Sequence, residues 1–439
     1  MFYSSVNSQK LTRTQLGQIL SAFSGWLMDG YTTIAYAVVA ITFSQVFFPA
    51  NFGDALLLTF LGLGFSSIAR FIGAMVLGNF LGDRLGRRKM LLYSIIGFSD
   101  FSFFIAFIPT YKTDGYYATA LLYVLIFIVG LFGGAEYAGG TALSMESVPQ
   151  EKRMPVGAFV QSGYGVGYFL ILLVAALFSA YFGQAQADNL VWRAIFATTI
   201  IPGIITLFIR LTSKESPVFE KMEENKEVEQ VPIEGIGKER KSFVAALLIL
   251  GGLLLINVVT LSFYPTFIGL LYPHLAETST DDLYNSYINL ISLIGVWIGG
   301  FIAYFIFKRR LTLLIFSVAF LISIIPIYLI STTGVVFYTV LGFSVQAFIE
   351  AAIFSTIPAY LSEVFSKSHR TTAIGLVYNG AAVPAGFGVY ALLYFGQSLF
   401  PDHVNVSWLA FLFLGTFIMI TGILVSRESS NLQNDPIKD

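Results

Sequence analysis

Leu143-Ser-Met-Glu146-Ser-Val-Pro-Gln-Glu-Lys-Arg153, continuing to Gln161-Ser-Gly163, returns 217 residues later as Tyr360-Leu-Ser-Glu363-Val-Phe-Ser-Lys-Ser-His-Arg370, continuing to Tyr378-Asn-Gly380. Glu, Arg and Gly recur in register. A second pair, Gly78-Asn-Phe-Leu-Gly-Asp83-Arg84-Leu-Gly-Arg87-Arg88 and Gly300-Phe-Ile-Ala-Tyr-Phe-Ile-Phe-Lys-Arg309-Arg310, matches at an offset of 222, its second copy lacking the acid. Agreement of spacing and of the downstream glycine predicts two halves of the same topology.

Composition says what solvent those halves face. The chain is 56% hydrophobic and only 12% charged, far below the roughly 25% of ordinary soluble domains, which predicts a membrane protein. It has no cysteine, so disulfides, thiolate metal sites and cysteine nucleophiles are excluded. His274, His369 and His403 all fall near predicted loops, leaving no histidine metal site and no intramembrane histidine relay. A buried proton carrier must therefore be a carboxylate. No cofactor is expected, only a proton gradient. The polar stretch from Met1 to Gln15 lacks a signal-peptide core, so the first apolar segment is expected to be retained.

A helix crossing roughly 30 Å of hydrocarbon needs about 20 apolar residues. Cutting at charge clusters and turn signals predicts twelve spans, at about 16–47, 54–81, 89–109, 117–145, 156–182, 190–211, 242–271, 283–307, 311–330, 334–361, 371–396 and 404–426. With alternate connections taken as inside, 22 of the 25 Lys and Arg fall there, Arg210 being counted among them as a loop charge. Short cytoplasmic loops carry such an excess, so both termini are expected in the cytoplasm and the location is a plasma membrane. Thr212 to Lys241 has mixed charge and few large apolar residues, and reads as a solvated tether. The predicted organisation is a six-helix bundle over 1–211, a cytoplasmic linker over 212–241, and a second bundle with a short tail over 242–439. Halves of equal topology would be related by an axis along the membrane normal.

These motifs carry a resemblance. Gly78 to Arg88 resembles the loop signature between the second and third helices of the major facilitator superfamily, and the likeness covers the whole chain. Gly134-Ala-Glu136-Tyr-Ala-Gly-Gly, Glu146-Ser-Val-Pro149, Arg153, Gln161 to Tyr168, Trp192-Arg193 and Glu215-Ser-Pro217-Val-Phe219 are similar to the proton-linked carriers of sialate, lactate and related carboxylates. Arg70-Phe-Ile-Gly73 is more similar to the metabolite:proton symporters. Gly25-Trp26-Leu-Met-Asp29-Gly30-Tyr31-Thr32 resembles the first-helix signature of aromatic-acid and sialate carriers, with Thr32 where those often have a second acid. The resemblance implies an all-α membrane protein of twelve transmembrane helices in two pseudo-symmetric bundles, and alternating access.

An ionisable group near the bilayer centre costs at least ~2.5 kcal/mol, which makes Asp29, Arg70, Asp100, Glu136 and Glu350 candidates for function. Arg70 lies thirteen residues before Asp83, roughly 20 Å along a helix. Asp29, Arg70 and Glu136 are expected at one level of the first half, as the proton-coupling group; Arg70 either neutralises a carboxylate or receives an anionic substrate. Fixed ion pairs that orient helices are the competing reading. Asp100 is expected to be structural. The resemblance places Glu350 at the cavity, where it binds substrate or proton or packs helices. Asn257, Tyr264, Gln161, Gln346, Tyr378 and Asn379 are candidate substrate-binding groups, against ordinary interhelical hydrogen bonding.

A third constellation is a cytoplasmic gate. Asp83, Arg84 and Arg87 with Glu146 and Arg153, and Glu363 and Arg370 with Arg309, are expected to form ion pairs that close the inner side. Gly163-Tyr-Gly165-Val-Gly167 has no preceding strand and reads as helix packing, not as a dinucleotide fingerprint. The Phe and Tyr residues read as packing and lipid-facing surface. No Walker motif occurs and the basic clusters follow loop topology, so neither direct ATP driving nor nucleic-acid binding is expected. The sequence therefore predicts no enzyme but a monomeric secondary transporter of a small organic anion with protons. A sugar carrier, an efflux pump and a non-transporting receptor or scaffold are the alternatives.

Overall fold

The computed structural model describes residues 10–182, 190–225, 236–272, 274–275, 280–306, 308–399 and 404–427. His403, residues 226–235 of the linker and the tail beyond Arg427 lie outside the described residues. The described residues fold into helices and connections, without a strand.

Among the described residues, eleven helices are long and apolar enough to cross a membrane: Gly53–Leu77, Arg87–Phe107, Tyr116–Glu146, Gln150–Phe182, Trp192–Thr212, Arg240–Leu271, Leu283–Ile306, Arg309–Ser331, Val336–Val364, Arg370–Gly396 and Val406–Val425. The pair Arg13–Val38 and Ala40–Phe47, bent by 57°, makes a twelfth when taken as one span. That bent pair is called span 1 and the others spans 2 to 12 in chain order. The boundaries agree with the apolar runs of the sequence because each basic or turn-forming cluster ends a helix.

The internal repeat reappears as a repeat of helix breaks. Span 1 breaks at Val39 and span 7 at Thr260, 221 residues on. Span 4 breaks at Gly134 and span 10 at Ser355, again 221 residues on. In the second half each restart carries a proline, Pro265 and Pro358, within its first two helical positions. A proline there forfeits only a donor that has no intrahelical partner.

Small residues set how closely the helices approach. Span 1 lies against span 5 through Gly163 and Gly167, one turn apart. A Cβ at Gly167 would sit 2.0 Å from the Leu27 carbonyl oxygen, and one at Gly163 2.5 Å from that of Phe23. Packing of this kind holds helices together in lipid, where apolar burial alone gives no preference. The halves meet along spans 2 and 11 and along spans 5 and 8. Asn289 Nδ2 donates to the Gly165 carbonyl across the second of these seams, at 2.7 Å.

The segment expected to be a solvated tether docks over its first half. Pro217–Glu224 is a helix, capped by the Ser216 hydroxyl, with Phe219 and Met222 buried. The Arg87 guanidinium lies 4.9 Å over the Phe219 ring. Glu215 accepts hydrogen bonds from the backbone N–H groups of Arg87 and Arg88, both at 3.0 Å, and so caps span 3. Burial pushes the Glu215 carboxyl above its usual range, against those hydrogen bonds. At its far end the linker returns through Glu239, 3.1 Å from His369 Nε2.

Candidate functional site

A cavity of about 130 Å³ lies between the halves, walled by Asp29, Arg70, Gln161 and Tyr164 from the first half and by Asn257, Asn289, Ser292, Tyr378 and Asn379 from the second. Spans 1 and 2 bring the pair of opposite charges to it. Arg70 Nη1 donates to Asp29 Oδ2 at 2.9 Å and Nη2 to Asp29 Oδ1, a two-pronged grip. Thr33, one turn beyond Asp29, joins both partners at 3.1 Å. The two side chains differ in access: Arg70 is 14% exposed and Asp29 1%. Both line the cavity, and the arginine is the more accessible of the two.

Glu136 is not with them. It is buried elsewhere in the first half, where Arg210 Nη1 and Nη2 donate to its two carboxylate oxygens at 2.9 and 2.5 Å. Ser94 also donates to it, and Arg210 Nη1 reaches the Leu91 carbonyl at 2.5 Å. The pair ties spans 3, 4 and 6. Gly25 of span 1 lies over it, and a Cβ there would fall 1.9 Å from Arg210 Nη2. The expected level of three charges is therefore two charges at the cavity and a strut beside it. Arg210, counted as a loop charge, is fully buried inside span 6.

Below the cavity, toward the end that bears the basic loops, four aromatic rings form a floor. Trp26 packs on Tyr137, Tyr164 and Tyr378, and Tyr137 stacks on Tyr378 across the halves at 3.9 Å between centroids. Asn379 Nδ2 crosses the same seam to the Gly134 carbonyl, at 2.9 Å.

The basic end itself is closed. Glu146 gathers Arg87 at 3.5 Å, Arg370 of the opposite half at 3.2 Å and the Ser216 hydroxyl at 2.5 Å. Arg87 also lies 3.2 Å from Asp83. Asp83 Oδ2 accepts from the Thr372 N–H at 2.8 Å and from its hydroxyl at 2.5 Å. Thr372 is in the first turn of span 11, whose own N-cap, His369, makes no side-chain cap. A carboxylate of one half thus caps a helix of the other. Glu363 pairs with Arg309 within its own half, at 3.0 Å, while Arg370 crosses to Glu146 instead of joining them. Arg153 Nε donates to the Met145 carbonyl at 3.2 Å, and Arg84 stands on the short helix Asp83–Leu85.

Burial pushes the Asp83 carboxyl above its usual range, outweighing Arg87 and the two Thr372 hydrogen bonds. The closed arrangement then holds a proton more tightly than a water-exposed carboxyl does. By linkage, closure is favoured as pH falls and weakens as pH rises through the raised value. The chain lacks cysteine, so a cysteine placed at the buried Thr371 gives a clean probe. Its maleimide labelling rate, divided by the rate in an Asp83→Asn background, is expected to rise with pH; a flat ratio contradicts the assignment.

The description "Major Facilitator Superfamily" belongs to a family model that matches residues 16–388. The chain belongs to this superfamily. It is 26% identical to the inner membrane metabolite transport protein YhjE of Escherichia coli K12, over 83% of this chain and 84% of that protein. It is 32% identical to the shikimate transporter of the same organism, over 46% of this chain and 47% of the relative. A solved structure of the Escherichia coli xylose transporter XylE superposes with a TM-score of 0.73 at 18% identity, covering 95% of this chain and 99% of XylE. The superfamily member is a membrane transporter, not an enzyme.

Of the candidate substrate-binding residues, Arg70, Gln161, Asn257, Tyr378 and Asn379 line the cavity. Gln161 Oε1 has no hydrogen-bond partner there. Glu350, Gln346 and Tyr264 lie behind the wall, fully buried and bonded to span 7 or to each other. Sequence reasoning missed Asn289 and Ser292 as candidates. Their signal was present, since Asn285, Asn289 and Ser292 make a polar stripe at helical spacing on span 8. Asp100 is half-buried on span 3 and forms no ion pair among the described residues.

Proposed function

We propose that the chain carries a small organic anion together with a proton, and that exchange of partners at Arg70 couples them. The observation that carries this reading is the unequal access of the Asp29–Arg70 pair at the cavity wall, with the cation the more accessible partner. A carboxylate entering the cavity competes with Asp29 for the same fork of N–H donors. Asp29, displaced into an apolar wall, is stabilised by taking a proton.

Charge accounting supports coupling. The empty site holds one cation and one anion and is neutral in sum. Anion plus proton leaves it neutral, while anion alone leaves one buried negative charge, costing several kcal/mol. Only the neutral forms rearrange readily within the membrane. The basic, gated end is assigned to the cytoplasm by the distribution of Lys and Arg. The shikimate relative fits an anionic cargo. A sugar, having no anionic group, gives Asp29 no competitor and is the lesser reading.

The test is uptake into proteoliposomes of a panel comprising shikimate, lactate, sialate and xylose, with and without an imposed pH gradient. An acid-outside gradient is expected to drive accumulation of one or more of the acids. Asp29→Asn, a mimic of the protonated state, is expected to keep solute exchange and to lose gradient-driven accumulation. Full accumulation by the variant overturns the reading.

A further inference from the structure

Span 7 is broken beside two polar side chains of span 10, Gln346 and Glu350, one turn apart on the same face. Glu350 holds the end of the first segment: its Oε1 accepts from Asn257 Nδ2 at 2.7 Å and its Oε2 from the Thr260 hydroxyl at 2.6 Å. Gln346 holds the restart, its Oε1 accepting from the Tyr264 hydroxyl at 2.8 Å. The four residues Thr260 to Phe263 between the two segments are thus bridged from the neighbouring helix. Gln346 Nε2 has no hydrogen-bond partner in this arrangement.

Glu350 is fully buried, yet among the described residues no Lys, Arg or His pairs with it. Asp29 and Glu136 each have an arginine; Glu350 has only neutral donors. Two phenols, Tyr164 of span 5 and Tyr264 of span 7, interact with it electrostatically. Asn257 lines the cavity, so the carboxyl stands one side chain behind the wall.

The surrounding hydrogen bonds accommodate two protonation states without orphaning an atom. The Thr260 hydroxyl lies 2.6 Å from Glu350 Oε2 and 2.8 Å from the Ile256 carbonyl oxygen. With the carboxylate ionised, the hydroxyl donates to it. With a proton on Oε2, Glu350 donates to Thr260 Oγ1, and the hydroxyl turns its own hydrogen to Ile256. Asn257 donates to Oε1 in both states.

We propose that Glu350 is a second proton-binding site, and that its protonation slackens the hold of span 10 on the break in span 7. Hydrogen bonds to an ionised carboxylate are roughly twice as strong as neutral ones. Proton uptake turns two such bonds into neutral ones, while the Tyr264–Gln346 bond is untouched. The first segment, Arg240–Val259, is then freer to swing about the break relative to Tyr264–Leu271. This goes beyond the Asp29–Arg70 reading and stands without it.

The test uses the full chain in lipid. Infrared difference spectra between high and low pH report carboxyl C=O bands, and a nitroxide pair at Val244→Cys and Leu271→Cys reports the break. The expected result is a band that grows as pH falls, is missing in Glu350→Gln, persists in Asp29→Asn, and shifts in frequency in Thr260→Val. The nitroxide distance distribution is expected to broaden at low pH in the otherwise native chain and to be broad at every pH in Glu350→Gln. Retention in Glu350→Gln of every band that titrates in the native chain overturns the proton site. If Glu350→Gln fails to fold, Thr260→Val decides: an unshifted band overturns the proposal, a shifted one supports it. Loss of the band in Asp29→Asn alone would assign it to the other site and refute Glu350 as its source.

Discussion

Replacing Glu136 by alanine is expected to destabilise the transporter by about 3–5 kcal/mol, because it strands a buried charge. Arg210 is 1% exposed and its guanidinium cannot shed its proton at any accessible pH. The converse change, Arg210→Met, is expected to cost distinctly less. It leaves a carboxylate, which escapes the same penalty by taking a proton and can still accept from Ser94. The double replacement Glu136→Met with Arg210→Met is expected to recover most of the loss, since buried ion pairs exchanged for apolar residues are often neutral in energy. Thermal melting of the three variants in one detergent checks the ordering. Equal losses for both single variants would contradict the strut, as would full retention of stability in Glu136→Ala.

Arg70→Lys is the second large effect, and it is expected in transport instead of folding. Lysine keeps the charge and loses the fork that grips Asp29 Oδ1 and Oδ2 together. Loss of one hydrogen bond to a charged partner costs about 1.5–3 kcal/mol, so anion binding is expected to weaken roughly 10- to 150-fold. Arg70→Ala is expected to abolish transport, leaving Asp29 without its partner and the cavity without a cation. Its melting temperature is expected to fall less than that of Glu136→Ala, for the same reason that an acid neutralises and an arginine does not. Initial uptake rates against anion concentration separate these outcomes; an Arg70→Lys variant of native affinity contradicts the anion site.

The helices of this fold were legible because each is an apolar run closed by a charge cluster, and the breaks at Val39, Thr260, Gly134 and Ser355 carry the same repeat that Glu146 and Glu363 announce. The Asp29–Arg70 pair was legible from depth, since both lie far from any loop. Partner choice was not. Arg210 stands near a predicted helix end, and only the burial of that end by spans 3 and 4 turns it from a loop charge into the partner of Glu136. Asp83 was read as part of an ion-pair gate, and it does face Arg87, but its nearest partner is the uncapped start of span 11 in the other half. No local pattern carries that, because the cap and the helix are separated by 289 residues of chain. The docking of Pro217–Glu224 is not legible for a related reason: Phe219 and Met222 are few, and their burial depends on a surface assembled from distant segments.

Exchange of the Arg70 guanidinium from Asp29 to a substrate carboxylate, with a proton filling the vacated acid, is the claim on which transport by this chain rests here. It is tested most directly by mixing the purified protein with the acid found in the uptake panel, in weakly buffered solution with a pH indicator, above the pH at which free carboxylates titrate. The expected result is uptake of about one proton per anion bound by the native chain and none by Asp29→Asn. Anion binding without proton uptake, or equal uptake by the variant, would contradict it.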